Sequence, residues 1–211
     1  MATSAHAMEE PRDGGRRALA LEYMHAEDRT RILGFWIFLA TDMILFGCLF
    51  ATYLVLRTHT DGGPTPATLF DMKGFGAETL ALLTSSFTGG LATLSMREGR
   101  LKAVALWMSV TIALGLTFLG IEASEFAHDA FIGAVWQRSA FLSSFFTLVG
   151  THGCHVTFGV LWMLVMLYQV LRRGLSPRIA RKVFVVNLYW HFLDVVWVLI
   201  FTVVYLTGMV M

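Results

Sequence analysis

The sequence predicts an all-α membrane protein, a five-transmembrane-helix bundle with its N-terminus in the cytoplasm and its C-terminus in the periplasm. Hydrophobic residues make up 56% of the 211 positions and charged ones only 15%, where soluble proteins carry about a quarter. The apolar residues fall into runs of spanning length, and the basic residues between those runs alternate sides. Lipid cannot satisfy open backbone groups and no strand-like ten-residue alternation is present, so the spans are helices and a β-barrel is excluded.

The first span is expected from Ile32 to Leu56, bounded by Arg31 and Arg57. Asp61-Gly62-Gly63-Pro64-Thr65-Pro66 then breaks the helix, since proline removes a donor and glycine permits a turn. A second span, about Ala77 to Met96, is joined by a short hairpin to a third, about Ala103 to Ile121. A wetter segment with Glu122, Glu125, His128, Asp129 and Arg138 leads to the fourth, about Ala140 to Leu171, long enough to require tilt or protrusion. The fifth runs from near Val183 almost to Met211, which leaves one domain, 32–211, and no C-terminal domain.

Residues 1–31 form a polar segment whose acids, Glu9, Glu10, Asp13, Glu22, Glu27 and Asp28, argue against a cleaved signal or a transit peptide. The source is therefore expected to be bacterial and the membrane the inner one. Of sixteen Lys and Arg residues, thirteen lie in the N-terminal segment, the Arg97–Lys102 hairpin and the Arg172–Lys182 loop, against Arg57, Lys73 and Arg138 on the other side. That asymmetry sets the orientation. Nothing in the charge pattern suggests nucleic acid, and Cys48 and Cys154 are expected to be free thiols.

In the second span Ala77, Ala81, Ser85, Gly89 and Thr93 recur every four residues, a small-residue stripe that admits a close neighbour. Ionisable groups at membrane depth are costly and point to function. Asp42 lies near the middle of the first span, with Leu45 and Phe46 one turn on. It is either a neutral acid or paired with another helix or subunit. In the fourth span His152 and His155 share a face, and in the fifth so do Asn187, His191 and Asp194.

A hydrogen-bond network between these two stripes is the leading physical reading, because unpaired polar groups in hydrocarbon are expensive. The sharper alternative is a bis-histidine haem between His152 or His155 and His191; a copper site lacks a carboxylate-backed triad. A proton path through Asp42, Glu122, Glu125 and the histidines is a third, although Glu122 and Glu125 are expected at the outer interface, where solvated acids are ordinary. Trp36, Tyr53, Trp107, Trp136, Tyr168 and Tyr205 fall near the expected interfaces as depth anchors.

The runs Val149-Gly150-Thr151-His152-Gly153-Cys154-His155-Val156 and Tyr189-Trp190-His191-Phe192-Leu193-Asp194-Val195-Val196-Trp197 resemble the two signature segments of haem–copper oxidase subunit III. So do Phe35-Trp36-Ile37-Phe38-Leu39-Ala40-Thr41-Asp42 and Gly120-Ile121-Glu122 with Glu125-Phe126. Five spans, Asp rather than Glu at position 42 and Leu33-Gly34-Phe35-Trp36-Ile37 look like the bo-type ubiquinol oxidase branch. A cytochrome c oxidase form or a nitric-oxide-reductase-associated relative is the alternative within the family.

The resemblance implies an accessory subunit of aerobic electron transport without a catalytic or metal site of its own. Haem and copper would sit in the catalytic subunit I, against which this chain packs, and phospholipid would bind as well. Outside the family, a membrane-anchored b-type cytochrome and a small transporter remain, the latter disfavoured because internal repeats are absent.

Overall fold

The computed structural model describes residue 22, residues 26–62 and residues 72–210. Most of the polar segment 1–31, the Pro64–Pro66 turn and Met211 lie outside the described residues. Five long helices follow one another: α1 (Ala26–Leu56), α2 (Met72–Arg97), α3 (Leu101–Phe131), α4 (Ala140–Arg173) and α5 (Pro177–Ile200). The last continues through a π-helical turn, Phe201–Leu206, into a final helical turn, Thr207–Val210. No strand occurs among the described residues.

Four of these segments are long and apolar enough to cross a membrane: Arg29–Leu56, Leu101–Phe131, Ala140–Arg173 and Pro177–Leu206. The second helix falls short of that measure because a series of Ser, Thr and Gly residues lowers its hydropathy. Its polar side chains have specific partners, described below.

Helix ends follow from local chemistry. Ser139 caps α4 by accepting the Leu142 N–H at 3.2 Å, and Ser176 caps α5 by accepting that of Ile179 at 3.4 Å, with Pro177 in the first turn. Gly99 and Gly174 take left-handed backbone, φ 72° and 69°, and turn the chain after α2 and α4. The helices run further than the apolar runs predict. Instead of ending near Ile121, α3 continues to Phe131, because Glu122 turns into the bundle rather than into solvent.

The fifth helix holds the bundle together, touching α1, α2 and α4, while α2 pairs extensively with α3, and α4 lies between α3, α5 and α1. The core is aromatic and aliphatic, with Trp190, Trp197, Tyr189, Phe118, Phe141 and Phe145 buried. At the edge, α1 buries a narrow seam of Ile32, Leu39, Asp42, Phe46 and Tyr53, and exposes Ile37, Ile44 and Val55 by more than 60%. Two expected depth anchors prove to be core residues: Tyr53 and Tyr205 are 1% and 2% exposed. Trp36, Trp136 and Tyr168 face outward.

Candidate functional site

The polar groups of α5 meet α2. Trp197 donates its indole N–H to Thr79 Oγ1 at 3.1 Å, Trp190 to Ser85 Oγ at 2.9 Å, and Asn187 Nδ2 to Thr93 Oγ1 at 2.9 Å; His191 Nδ1 lies 2.6 Å from Ser86 Oγ. Partners advance along α2 as they recede along α5, the register of two antiparallel helices. Asp194 Oδ1 is buried and accepts nothing from the described residues.

Sequence reasoning pairs the α5 stripe with α4, and this is corrected: among the described residues the bonds from α5 to α4 come from outside the stripe, Tyr189 donating its hydroxyl to the His155 carbonyl at 3.3 Å and Lys182 Nζ donating to Gln169 Oε1 at 3.4 Å. The reason is supply. The second helix offers hydroxyls on a small-residue face, where Ser85 and Gly89 are buried, Ala81 is half-buried and Ala77 lies outside the seam. A Cβ on Gly89 would already sit 3.4 Å from Asn187 Oδ1.

Trp190 is seated by two further glycines. A Cβ on Gly115 of α3 would fall 2.7 Å from its Cη2, and one on Gly159 of α4 would fall 3.1 Å from Cε3 and Cζ3. The indole thus fills a slot between α3 and α4 while its N–H reaches α2. Trp190 and Trp197 are seven residues apart, so they share a face of α5, a signal present in the sequence that points to neither role without the glycines opposite.

His152 and His155 divide. The His152 ring is fully buried, stacked on Trp197 at 5.4 Å between centroids and edge-on to Phe118 and Phe46 at 5.9 and 6.3 Å. Neither of its nitrogens has a hydrogen-bond partner among the described residues. His155 Nδ1 lies 2.7 Å from the Thr151 carbonyl and its Nε2 3.8 Å from Asp42 Oδ2. Asp42, 8% exposed, therefore faces a partner on α4, with Phe46 buried beside it and Leu45 turned outward.

The arrangement does not fit a haem between His152 or His155 and His191. The first is enclosed by rings that fill the space a porphyrin needs, the second faces Asp42 and the third is held by Ser86. Among the described residues, no three His, Cys, Asp or Glu side chains gather as a metal ion would require.

A carboxyl group absent from the sequence reading completes the buried acids. Glu78 on α2 is 1% exposed, and Glu122 on α3 is 6% exposed with its carboxylate against Gly153 of α4, where a Cβ would lie 2.8 Å from Oε1. Solvation is thus not what Glu122 finds inside this chain. Glu125, half-buried, lies against Gly74 at the start of α2. Cys48 and Cys154 are free and exposed.

Comparison with known proteins covers almost the whole chain. The family model for cytochrome c oxidase subunit III matches residues 22–209. Quinol oxidase subunit 3 of Bacillus subtilis is 48% identical over 202 residues, 96% of this chain and 98% of its own length. Cytochrome bo(3) ubiquinol oxidase subunit 3 of Pseudomonas aeruginosa is 47% identical over 187 residues, 89% and 90% of the two chains. Cytochrome c oxidase subunit 3 of Bacillus sp. PS3 is 49% identical over 184 residues, 87% and 89%. Its similar length means that a short chain does not by itself separate quinol from cytochrome c relatives. Family model and near-full-length relatives agree: the chain belongs to the cytochrome c oxidase subunit III family.

Proposed function

We propose that this chain is the non-catalytic subunit III of a proton-pumping ubiquinol oxidase in a bacterial inner membrane. It crosses five times, with α2 as the fifth span, and packs against a catalytic subunit I that holds haem and copper. The observation that carries the reading is the near-full-length similarity to subunits named for quinol oxidases. The geometry suits an accessory role. Asn187, Trp190, His191 and Trp197 are committed to helix–helix bonds, and such bonds shape a scaffold rather than an open reaction site. Phospholipid between this chain and its neighbours, held along the exposed apolar faces of α1 and α4, belongs to the same reading.

Because a relative named for cytochrome c is equally similar, the test compares donors. An oxidase purified through a tag on this chain is expected to contain a larger haem-bearing subunit, identified by mass spectrometry, and to oxidise ubiquinol. Oxidation of reduced cytochrome c but not of ubiquinol would overturn the quinol assignment and leave the family intact.

A further inference from the structure

A groove of about 660 Å³ opens where α3 joins α4, lined by Phe126 and Ala130 of α3, Ala134 and Trp136 of the connecting loop, and Phe146 and Gly150 of α4 among others. Phe126 and Phe146 meet edge to face within it, ring centroids 5.1 Å apart. Ala134 is fully buried, whereas Ala130, Trp136 and the further lining residues Thr147 and Cys154 are exposed, so the groove lies open along the outer surface of the bundle. From Thr147 to Cys154 it follows α4 for about 10 Å. The loop folds over one end of it: the Ala134 N–H donates to the Asp129 carbonyl at 2.9 Å and the Arg138 N–H to the Val135 carbonyl at 3.0 Å, after a left-handed Gly133, φ 78°.

The lining chemistry decides what fits there. Aromatic and aliphatic carbon dominates it, and the Thr147 hydroxyl is already taken by the Ser143 carbonyl at 2.7 Å, so hydrocarbon in the groove strands no donor at that position. At the loop end stands a cation. Arg138 Nη1 donates to the carbonyl of Gly133, next in the chain to the lining Ala134, at 3.2 Å. The Arg138 side chain is exposed, and among the described residues it pairs with no carboxylate. It is one of only three basic residues on this side of the bundle. A guanidinium offers a planar fork of donors that matches a phosphate. Trp136, 61% exposed beside it, belongs at the level of lipid headgroups. An apolar groove with an unpaired cation at one end calls for a molecule that is hydrocarbon along its length and anionic at its tip.

We propose that the α3–α4 groove is a discrete phospholipid site, with one acyl chain lying against Phe126, Phe146 and Gly150 and the phosphate paired with the Arg138 guanidinium beside Trp136. The inference rests on the chain being a membrane-embedded subunit, as proposed above. It goes further than lipid spread along exposed faces, because it fixes one molecule by its two ends.

The test places the assembled oxidase in phosphatidylcholine nanodiscs with a trace of phosphatidylglycerol carrying a diazirine halfway along one acyl chain. After illumination, cross-links are located by peptide mass spectrometry. Labelling of Phe126–Ala130 and Phe146–Cys154 is expected to exceed that of two outward positions, Ile44 on α1 and Leu161 on α4, 68% and 57% exposed, at least five-fold. Arg138→Gln is expected to bring the groove down to the level of those positions, Arg138→Lys to retain most of the excess, and neither to alter Ile44 or Leu161. Equal labelling of groove and outward positions in the unmodified chain would reduce the groove to ordinary lipid contact and overturn the site. Groove labelling that survives Arg138→Gln would overturn the phosphate pairing, and cross-links from a bismaleimide on Cys154 to another subunit would overturn the site by making the groove a subunit interface. Absence of labelling at groove, Ile44 and Leu161 alike would instead overturn the membrane reading on which the site rests. Should Arg138→Gln not assemble, Ala130→Trp, at an exposed position, is expected to fill the groove and abolish the excess; an undiminished excess would overturn the site.

Discussion

Trp190 is fixed on three sides at once, by Ser85 on α2, Gly115 on α3 and Gly159 on α4. Gly115→Ala is expected to destabilise by about 1–3 kcal/mol through overpacking against rigid indole carbons. Gly120→Ala, on the same helix with open space at its Cβ, is expected to change little. Thermal release of the subunit from the oxidase, followed for both variants, checks the pair; equal effects would remove the slot. For Asp42 the partner is His155 at 3.8 Å. Asp42→Asn keeps the shape and hydrogen-bonding capacity of the acid, so assembly and turnover are expected to be near normal. Turnover that falls while assembly holds would mark Asp42 as a proton carrier instead. The sequence exposes Asp42, the histidines and Asp194 as ionisable groups inside apolar runs. It hides Glu78 and the depth of Glu122, because an acid close to a polar segment looks the same whether its helix stops there or continues.

The small-residue face of α2 is where helix and network meet. Four residues, Thr79, Ser85, Ser86 and Thr93, each engage a different side chain of α5. Inter-helix hydrogen bonds in membranes contribute about 0.6 kcal/mol each and at most about 1.7. The combined variant Thr79→Val, Ser86→Ala, Thr93→Val is therefore expected to lower stability by roughly 2–5 kcal/mol, measured as the temperature at which detergent-solubilised subunit is lost. A change within error would assign α2 docking to apolar packing alone. Apolar runs of spanning length gave the existence and order of all five helices. Their ends were less legible: α3 runs ten residues past Ile121, and the π-helical turn Phe201–Leu206 in α5 has no marker in its apolar sequence. That turn delivers Tyr205 onto Phe75, ring centroids 3.7 Å apart, a contact between chain segments far apart in sequence that no local pattern encodes. Likewise the choice of α2 over α4 as partner for Asn187 and His191 depended on which helix brought hydroxyls to their depth.

At the scale of the molecule, the five crossings proposed above would require the two ends of the chain to lie on opposite faces. Reporters fused after Met211 and inserted at Pro177 are expected to be active in the periplasm and the cytoplasm respectively, and the reverse would refute the orientation drawn from the basic residues. The division of labour within the oxidase follows from what this chain contains: helix-tying polar pairs, buried acids and a bundle whose core is filled by aromatic rings. In the reading proposed above, such a subunit supports a neighbour's chemistry and the neighbour supplies the reacting metal. The decisive measurement is the reduced-minus-oxidised absorption spectrum of the oxidase purified from cells lacking this chain, taken with its initial rate of ubiquinol oxidation. The account predicts unchanged haem bands per catalytic subunit and quinol oxidation that persists at the start of turnover. Loss of a haem band that returns only when this chain is restored, in a complex whose catalytic subunit is otherwise intact, would contradict it and place a cofactor in the chain itself.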